Sequence, residues 1–157
     1  MIKEDFPVSN REIDELYKDN NKYRSVKYIF ELKDEKKIEN GEFFIVAMDV
    51  RPSDGIMAHF VLIYRRDDTL VFFNSYGIDV PRQIMKFGSR SGCKLIEYND
   101  TMYQGLSNLC GYYCCYVLDL LLEGKMLSEI VETLHEYPFV RKNKEVLINH
   151  YNDYKRN

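Results

Sequence analysis

The chain reads as an α+β protein: a mostly antiparallel or mixed sheet packed on one buried helix, with further helices around it. Three features carry that reading. Apolar strand-like runs at residues 42–50, 56–64 and 70–73 are separated by turn residues. A run from Gly111 to Glu123 is apolar almost all round, which marks a helix buried on every side. The helical patterns lie mainly after the strands, so the order is a helix, several strands, then helices.

Each element follows from local chemistry. Ser9 and Asn10 suit a helix cap ahead of Glu12–Tyr17, with the helix ending near Asn20. Tyr28–Leu32 is predicted as a short strand and Lys33–Asn40 as a charged loop. Glu42–Val50 is predicted as a strand apolar on both faces, followed by a turn at Arg51–Gly55. Ile56–Tyr64 and Leu70–Phe73 form a hairpin joined by Arg65–Asp68. Pro81 suits the first turn of a helix through Phe87. Cys93–Tyr98 is another strand, and Gly124 caps the buried helix. Ser128–Tyr137 and Lys144–Tyr154 are amphipathic helices.

The 157 residues suit a single domain spanning 1–157, without repeats or a Pro/Gly linker. Apolar residues make up 45%, enough for a sizeable core, and charged residues 30%. The formal net charge is -3, so broad phosphate binding is not favoured. Local basic groups at Arg65-Arg66, Arg82-Lys86-Arg90 and Lys155-Arg156 are read as solvated faces, which leaves nucleic-acid contact open. No apolar run reaches the ~20 residues that span a bilayer. The first residues lack an apolar signal core, so an intracellular, non-secreted chain with reduced cysteines is expected. The cysteine spacing does not suit zinc, and no metal is expected.

Cys110 sits where the buried helix begins. Free N–H groups and the positive end of the dipole there favour thiolate. Cys114 and Cys115 lie one turn inside and are expected in the core. His59 lies in an apolar strand and must have a partner. It is a candidate general base. His135 and His150 are expected at the surface. Asn74 ends the strand paired with that of His59, where its amide oxygen can hold the imidazole without adding charge. Gln104, six residues before Cys110, is a candidate donor to an oxyanion, beside the Cys110 N–H.

The segment Gln104–Cys115, read QGLSNLCGYYCC, resembles the nucleophile motif of adenain-like viral maturation cysteine proteases. Ala58-His59-Phe60 is similar to their Gly-His-Trp, and Phe73–Gly77 to their Phe-Glu-Pro-Phe-Gly. The order His, acid or Asn, Gln, Cys is that of the superfamily containing the SUMO proteases. The six-residue Gln-to-Cys step is similar to that of SUMO proteases and of the African swine fever virus protease. The resemblance covers roughly residues 42–125. It implies an adenain-like fold and an endopeptidase that cleaves capsid or core precursors during virion maturation, after small residues such as Gly. It implies catalytic roles for His59, Asn74, Gln104 and Cys110. The enzyme would act in the virion and infected cell as a monomer, with no membrane and no required cofactor. Cys93 matches the position of a cysteine that joins an activating peptide by a disulfide, whereas the net charge argues against a DNA cofactor. Two departures stand out: Asn74 replaces an acid, and Phe60 replaces a Trp. A ubiquitin- or SUMO-like protein protease, an effector acetyltransferase and an inactive binding module are the competing expectations.

Overall fold

A computed structural model describes residues 8–48, 59–105 and 107–156. The expected turn at 51–55 and the first part of the strand at 56–64 lie outside them. Five strands form one mixed sheet in sequence order: β1 (Lys27–Tyr28), β2 (Phe43–Met48), β3 (His59–Arg66), β4 (Thr69–Phe73) and β5 (Leu95–Tyr98). The inner pairings, β2–β3 and β3–β4, are antiparallel, while β1–β2 and β4–β5 are parallel. Half of the pairings are thus parallel, more than the sequence suggested. Among the described residues, five α-helices surround the sheet: α1 (Asn10–Tyr17), α2 (Arg82–Arg90), α3 (Cys110–Leu122), α4 (Leu127–Val131) and α5 (Asn143–Arg156).

The inner strands β2, β3 and β4 are apolar on both faces because both faces are covered. Phe43, Ile45, Ala47, Phe60, Leu62 and Phe73 pack on the layer containing α1, α3 and α5. Phe44, Val46, Val61, Ile63 and Phe72 pack on Ile84 and Phe87 of α2 and on Leu32 and Ile38. This alternation is the period of two that a pleated strand imposes. α3 lies within the first layer and buries ten successive residues, Cys110–Asp119. Its second residue, Gly111, lies so close to the N-terminal segment that a Cβ would sit 2.0 Å from Val8 Cγ1. The Cys-Gly step therefore has a packing cause.

Several expectations need correction. Of the strand expected over Tyr28–Leu32 only Tyr28 is in β1, because residues 29–34 coil into a 3-10 helix. The hairpin turn is tighter than expected: β3 runs through Arg66, leaving Asp67-Asp68 as the loop. The helix expected over 128–137 stops at Val131. Beyond it, the Asn143 side chain accepts from His135 N–H and donates to His135 C=O, at 2.7 and 2.8 Å, so that peptide is held by a side chain rather than by a helical ladder.

The basic pair Arg65-Arg66 is not a solvated face. Arg65 donates to the Ile38 and Ser91 carbonyls, and Arg66 to the Leu121 and Lys125 carbonyls at the end of α3. Arg90 similarly donates to the Leu32 and Glu35 carbonyls. These side chains satisfy backbone oxygens that the helix ends and loops leave over.

His150 is also not a simple surface residue. It meets the buried Asp119 carboxylate at 2.8 Å, and Tyr17 donates to the other oxygen of that carboxylate at 2.8 Å. One acid on α3 thereby fastens both α1 and α5. His150→Ala should lower the unfolding free energy by about 1–3 kcal/mol, because a buried carboxylate loses a charge-assisted bond. Urea denaturation followed by circular dichroism measures this.

Candidate active site

The β3–β4 hairpin brings its open end together. His59 is the first residue of β3, and Asn74 directly follows β4. His59 Nε2 lies 2.8 Å from Asn74 Oδ1. The same oxygen accepts the Tyr76 backbone N–H at 2.9 Å. A peptide N–H can only donate, so that atom of Asn74 is the carbonyl oxygen and His59 carries its proton on Nε2. The tautomer so fixed presents Nδ1 as the basic nitrogen. The Tyr76 ring packs on the imidazole, with centroids 4.5 Å apart.

Asn74 is itself anchored. Its N–H donates to Asn99 Oδ1 at 3.0 Å, and its carbonyl accepts from Asn99 Nδ2 at 2.6 Å. Asn99 directly follows β5, which runs parallel to β4, so the sheet register delivers one asparagine beside the other. The following turn depends on Gly77, at φ +66°. A Cβ there would stand 2.5 Å from the Thr101 carbonyl group, backbone that cannot step aside.

Gln104 is fully buried in the segment that follows. Its backbone N–H and that of Tyr103 both donate to the Ser75 carbonyl, and its Oε1 accepts from the Ser75 hydroxyl at 2.5 Å. Its Nε2 donates to the Ser107 carbonyl and hydroxyl at 2.9 and 3.1 Å. The amide is thus turned toward the loop before Cys110, and direct donation to an oxyanion requires release of a Ser107 bond.

Cys110 opens α3 and is buried. Burial pushes its thiol pKa up, while backbone groups of Phe60, Gly111 and Cys110 pull it down by hydrogen bonding. The net direction is upward, which corrects the expectation that the helix end alone favours thiolate. The position itself fits: the thiol meets the backbone of Phe60, the neighbour of His59, and interacts electrostatically with Tyr76, which stacks on His59. Cys110, His59, Asn74 and Tyr76 therefore share one site.

The remaining cysteines differ. Cys114 and Cys115 are core residues, as expected. Burial raises both thiols, that of Cys115 to about 12. Cys93 precedes β5, half-buried, and burial raises its thiol too. Among the described residues, no group of His, Cys, Asp and Glu is placed to hold a metal, and no helix is long and apolar enough to cross a membrane.

The fold is shared with a solved protease. A crystal structure of the ASFV pS273R protease superposes with a TM-score of 0.58 at 14% identity, over 88% of this chain and 66% of that one. The selenomethionine form of that protease gives 0.57 at 14% identity, with the same coverage. This chain thus spans just under two thirds of the length of its structural neighbour. No family model and no curated protein matches the sequence.

Sequence reasoning missed Ser75, Tyr76, Asn99 and Ser107. Ser75 and Tyr76 stand inside the motif already singled out, but Asn99 is visible only once β5 is paired beside β4.

Two measurements test this geometry. Asn99→Ala strands two buried backbone groups of Asn74 and should cost about 1–3 kcal/mol of stability in urea denaturation. Iodoacetamide labelling of Cys110, read by peptide mass spectrometry, should accelerate as pH rises past the ordinary thiol range near ~8.5. The sign follows from the raised thiol: the nucleophilic thiolate is scarce below that pKa and gains above it. A labelling plateau already reached below pH 6 would contradict it.

Proposed function

We propose that the protein is a cysteine endopeptidase, with Cys110 as nucleophile, His59 as base and Asn74 as the residue that orients the base. The observation that carries this reading is the tautomer of His59 fixed by Asn74, with the Cys110 thiol at the backbone of Phe60, the residue next to His59. The fold shared with the ASFV pS273R protease supports it.

The reaction is acyl transfer. His59 Nδ1 takes the thiol proton as Cys110 Sγ attacks a peptide carbonyl carbon. The raised thiol pKa makes this proton transfer part of the step rather than a resting ion pair. The Cys110 N–H, at the open first turn of α3, donates to the oxyanion. Gln104 Nε2 becomes the second donor when the substrate carbonyl replaces one of its Ser107 bonds. The imidazolium then protonates the leaving amine as the C–N bond breaks. Water, deprotonated by His59, attacks the thioester, releases the acid product and restores the thiol.

The substrates of this reading are viral capsid or core precursor proteins, cut after small residues such as Gly during virion maturation. It requires no cofactor. Cys93 is the thiol through which an activating peptide would be joined, and opening of its half-buried surroundings would accompany that bond.

Coexpression with candidate precursors, followed by mapping of new termini, tests the function. Cys110→Ala should abolish cleavage, and His59→Ala should lower kcat/KM by about 10²–10⁴-fold, each with an unchanged circular dichroism spectrum. Persisting cleavage by Cys110→Ala would sink the assignment.

A further inference from the structure

The turn after β4 leaves Tyr76 little freedom. The Gly77 N–H donates to the Asn74 carbonyl at 2.9 Å, which closes a four-residue turn over Asn74–Gly77. Inside that turn the Asn74 amide oxygen accepts the Tyr76 N–H at 2.9 Å. Gly77 follows at φ +66°, against the Thr101 and Met102 backbone. Held in this way, Tyr76 lays its ring on the His59 imidazole, with centroids 4.5 Å apart and planes tilted by 41°.

The His59–Asn74 hydrogen bond is thereby bracketed by one residue. The Tyr76 N–H sits at its acceptor, and the Tyr76 ring lies on the imidazole that donates it. Asn74 is fully buried, whereas His59 and Tyr76 are half-buried, so the bond lies close to the edge of the solvent-excluded interior. Water that reaches such a bond competes for both the N–H and the amide oxygen, and the bond is stronger where water is excluded. A tilted aromatic contact at this spacing is favourable in itself. Burial raises the Tyr76 hydroxyl above the ordinary phenol range, and the Cys110 thiol adds to that shift, so the ring carries no charge near neutral pH. It covers the imidazole as an apolar plate.

We propose that Tyr76 is a positioning residue for His59: its ring keeps water from the His59–Asn74 hydrogen bond and so holds the tautomer with the proton on Nε2 and the lone pair on Nδ1. The consequence for rate rests on the peptidase reading, whereas the shielding is a property of the folded chain alone. Two expectations separate this role from general support of the fold. The ring orients the base and not the substrate, so its loss is felt in kcat more than in KM. Asn74 and Tyr76 act through the same imidazole, so the effects of removing them do not add.

The test has two readouts. In the first, the His59 Nε2–H is followed by NMR in protein labelled with nitrogen-15 on its histidine rings, the signal being assigned by its loss in His59→Ala. Exchange of this proton with water should be about tenfold or more faster in Tyr76→Ala, and within about threefold of wild type in Tyr76→Phe, which keeps the ring. Tyr76→Leu, apolar but smaller, should fall between them, and it carries the test if the alanine variant does not fold. In the second readout, Tyr76→Ala should lower kcat on a cleaved precursor by about tenfold to hundredfold, and Tyr76→Phe should recover most of it. The double variant Asn74→Ala/Tyr76→Ala should lose much less than the product of the two single losses. Equal exchange in Tyr76→Ala and wild type, or a loss in Tyr76→Phe as large as in Tyr76→Ala, overturns the positioning role and leaves the peptidase reading intact. Protection that depends on the ring in a protein that cleaves no precursor supports the shielding and overturns the peptidase reading alone. Absence of both cleavage and ring-dependent protection overturns both.

Discussion

The site hangs on Asn74. Its backbone N–H and carbonyl are both taken by one side chain, Asn99, and its own amide oxygen accepts from His59 and from Tyr76 N–H. The next residue, Ser75, receives the Tyr103 and Gln104 amides on its carbonyl and donates its hydroxyl to Gln104. Two consecutive residues after β4 thus fix the His59 imidazole and seat the Gln104 segment. Buried polar networks stabilise a unique geometry only where their members are satisfied. One atom here is not: Asn74 Nδ2 is buried and makes no hydrogen bond. Leaving a buried donor unsatisfied costs about 1–3 kcal/mol. An aspartate would remove that orphan donor but would place a full charge in the same buried position, where desolvation is costlier. A neutral residue orients the imidazole at lower cost to the fold, while stabilising the imidazolium less.

Cys110 shows how two effects of one location compete. The start of α3 offers amides that favour a thiolate, and the same location is buried between helix and sheet. Burial prevails, so the thiol favours its protonated form, and in the proposed reaction a base must take that proton. That gives the orientation of His59 chemical weight. In that reaction the other tautomer would offer an N–H, rather than a lone pair, on Nδ1. Cys114 and Cys115, one turn further, experience burial without the open amides and are raised further still, Cys115 to about 12.

What was legible in the sequence follows from the range of the interactions involved. The strands β2, β3 and β4 and the buried helix α3 could be read because burial on both sides demands continuous apolar residues. His59, Asn74 and Cys110 could be brought together because a hairpin and a helix start are local geometry. Asn99 could not, since its role depends on the parallel pairing of β5 with β4, which no local pattern encodes. The attachment of His150 to Asp119 was hidden for the same reason. Its helical neighbours are polar, and the partner lies 31 residues away on α3. The over-long α4 was a failure of another kind. Propensity supported a helix over 128–137, and a single distant side chain, Asn143, overrode it by bonding both backbone groups of His135.

Asn143 also couples the two ends of the site. Besides His135, its amide donates to the Tyr103 carbonyl at 3.0 Å and to the Tyr113 hydroxyl at 3.2 Å. Tyr113 in turn donates to the same Tyr103 carbonyl at 2.6 Å. Tyr103 immediately precedes Gln104, while His135 leads into the Tyr137–Val140 segment and Asn143 itself begins α5. One fully buried amide therefore ties the segment carrying Gln104, the helix carrying Cys110 and the segment that leads into α5. Because the interior is close-packed, a displacement of that last segment cannot be absorbed locally and must be felt at Tyr103.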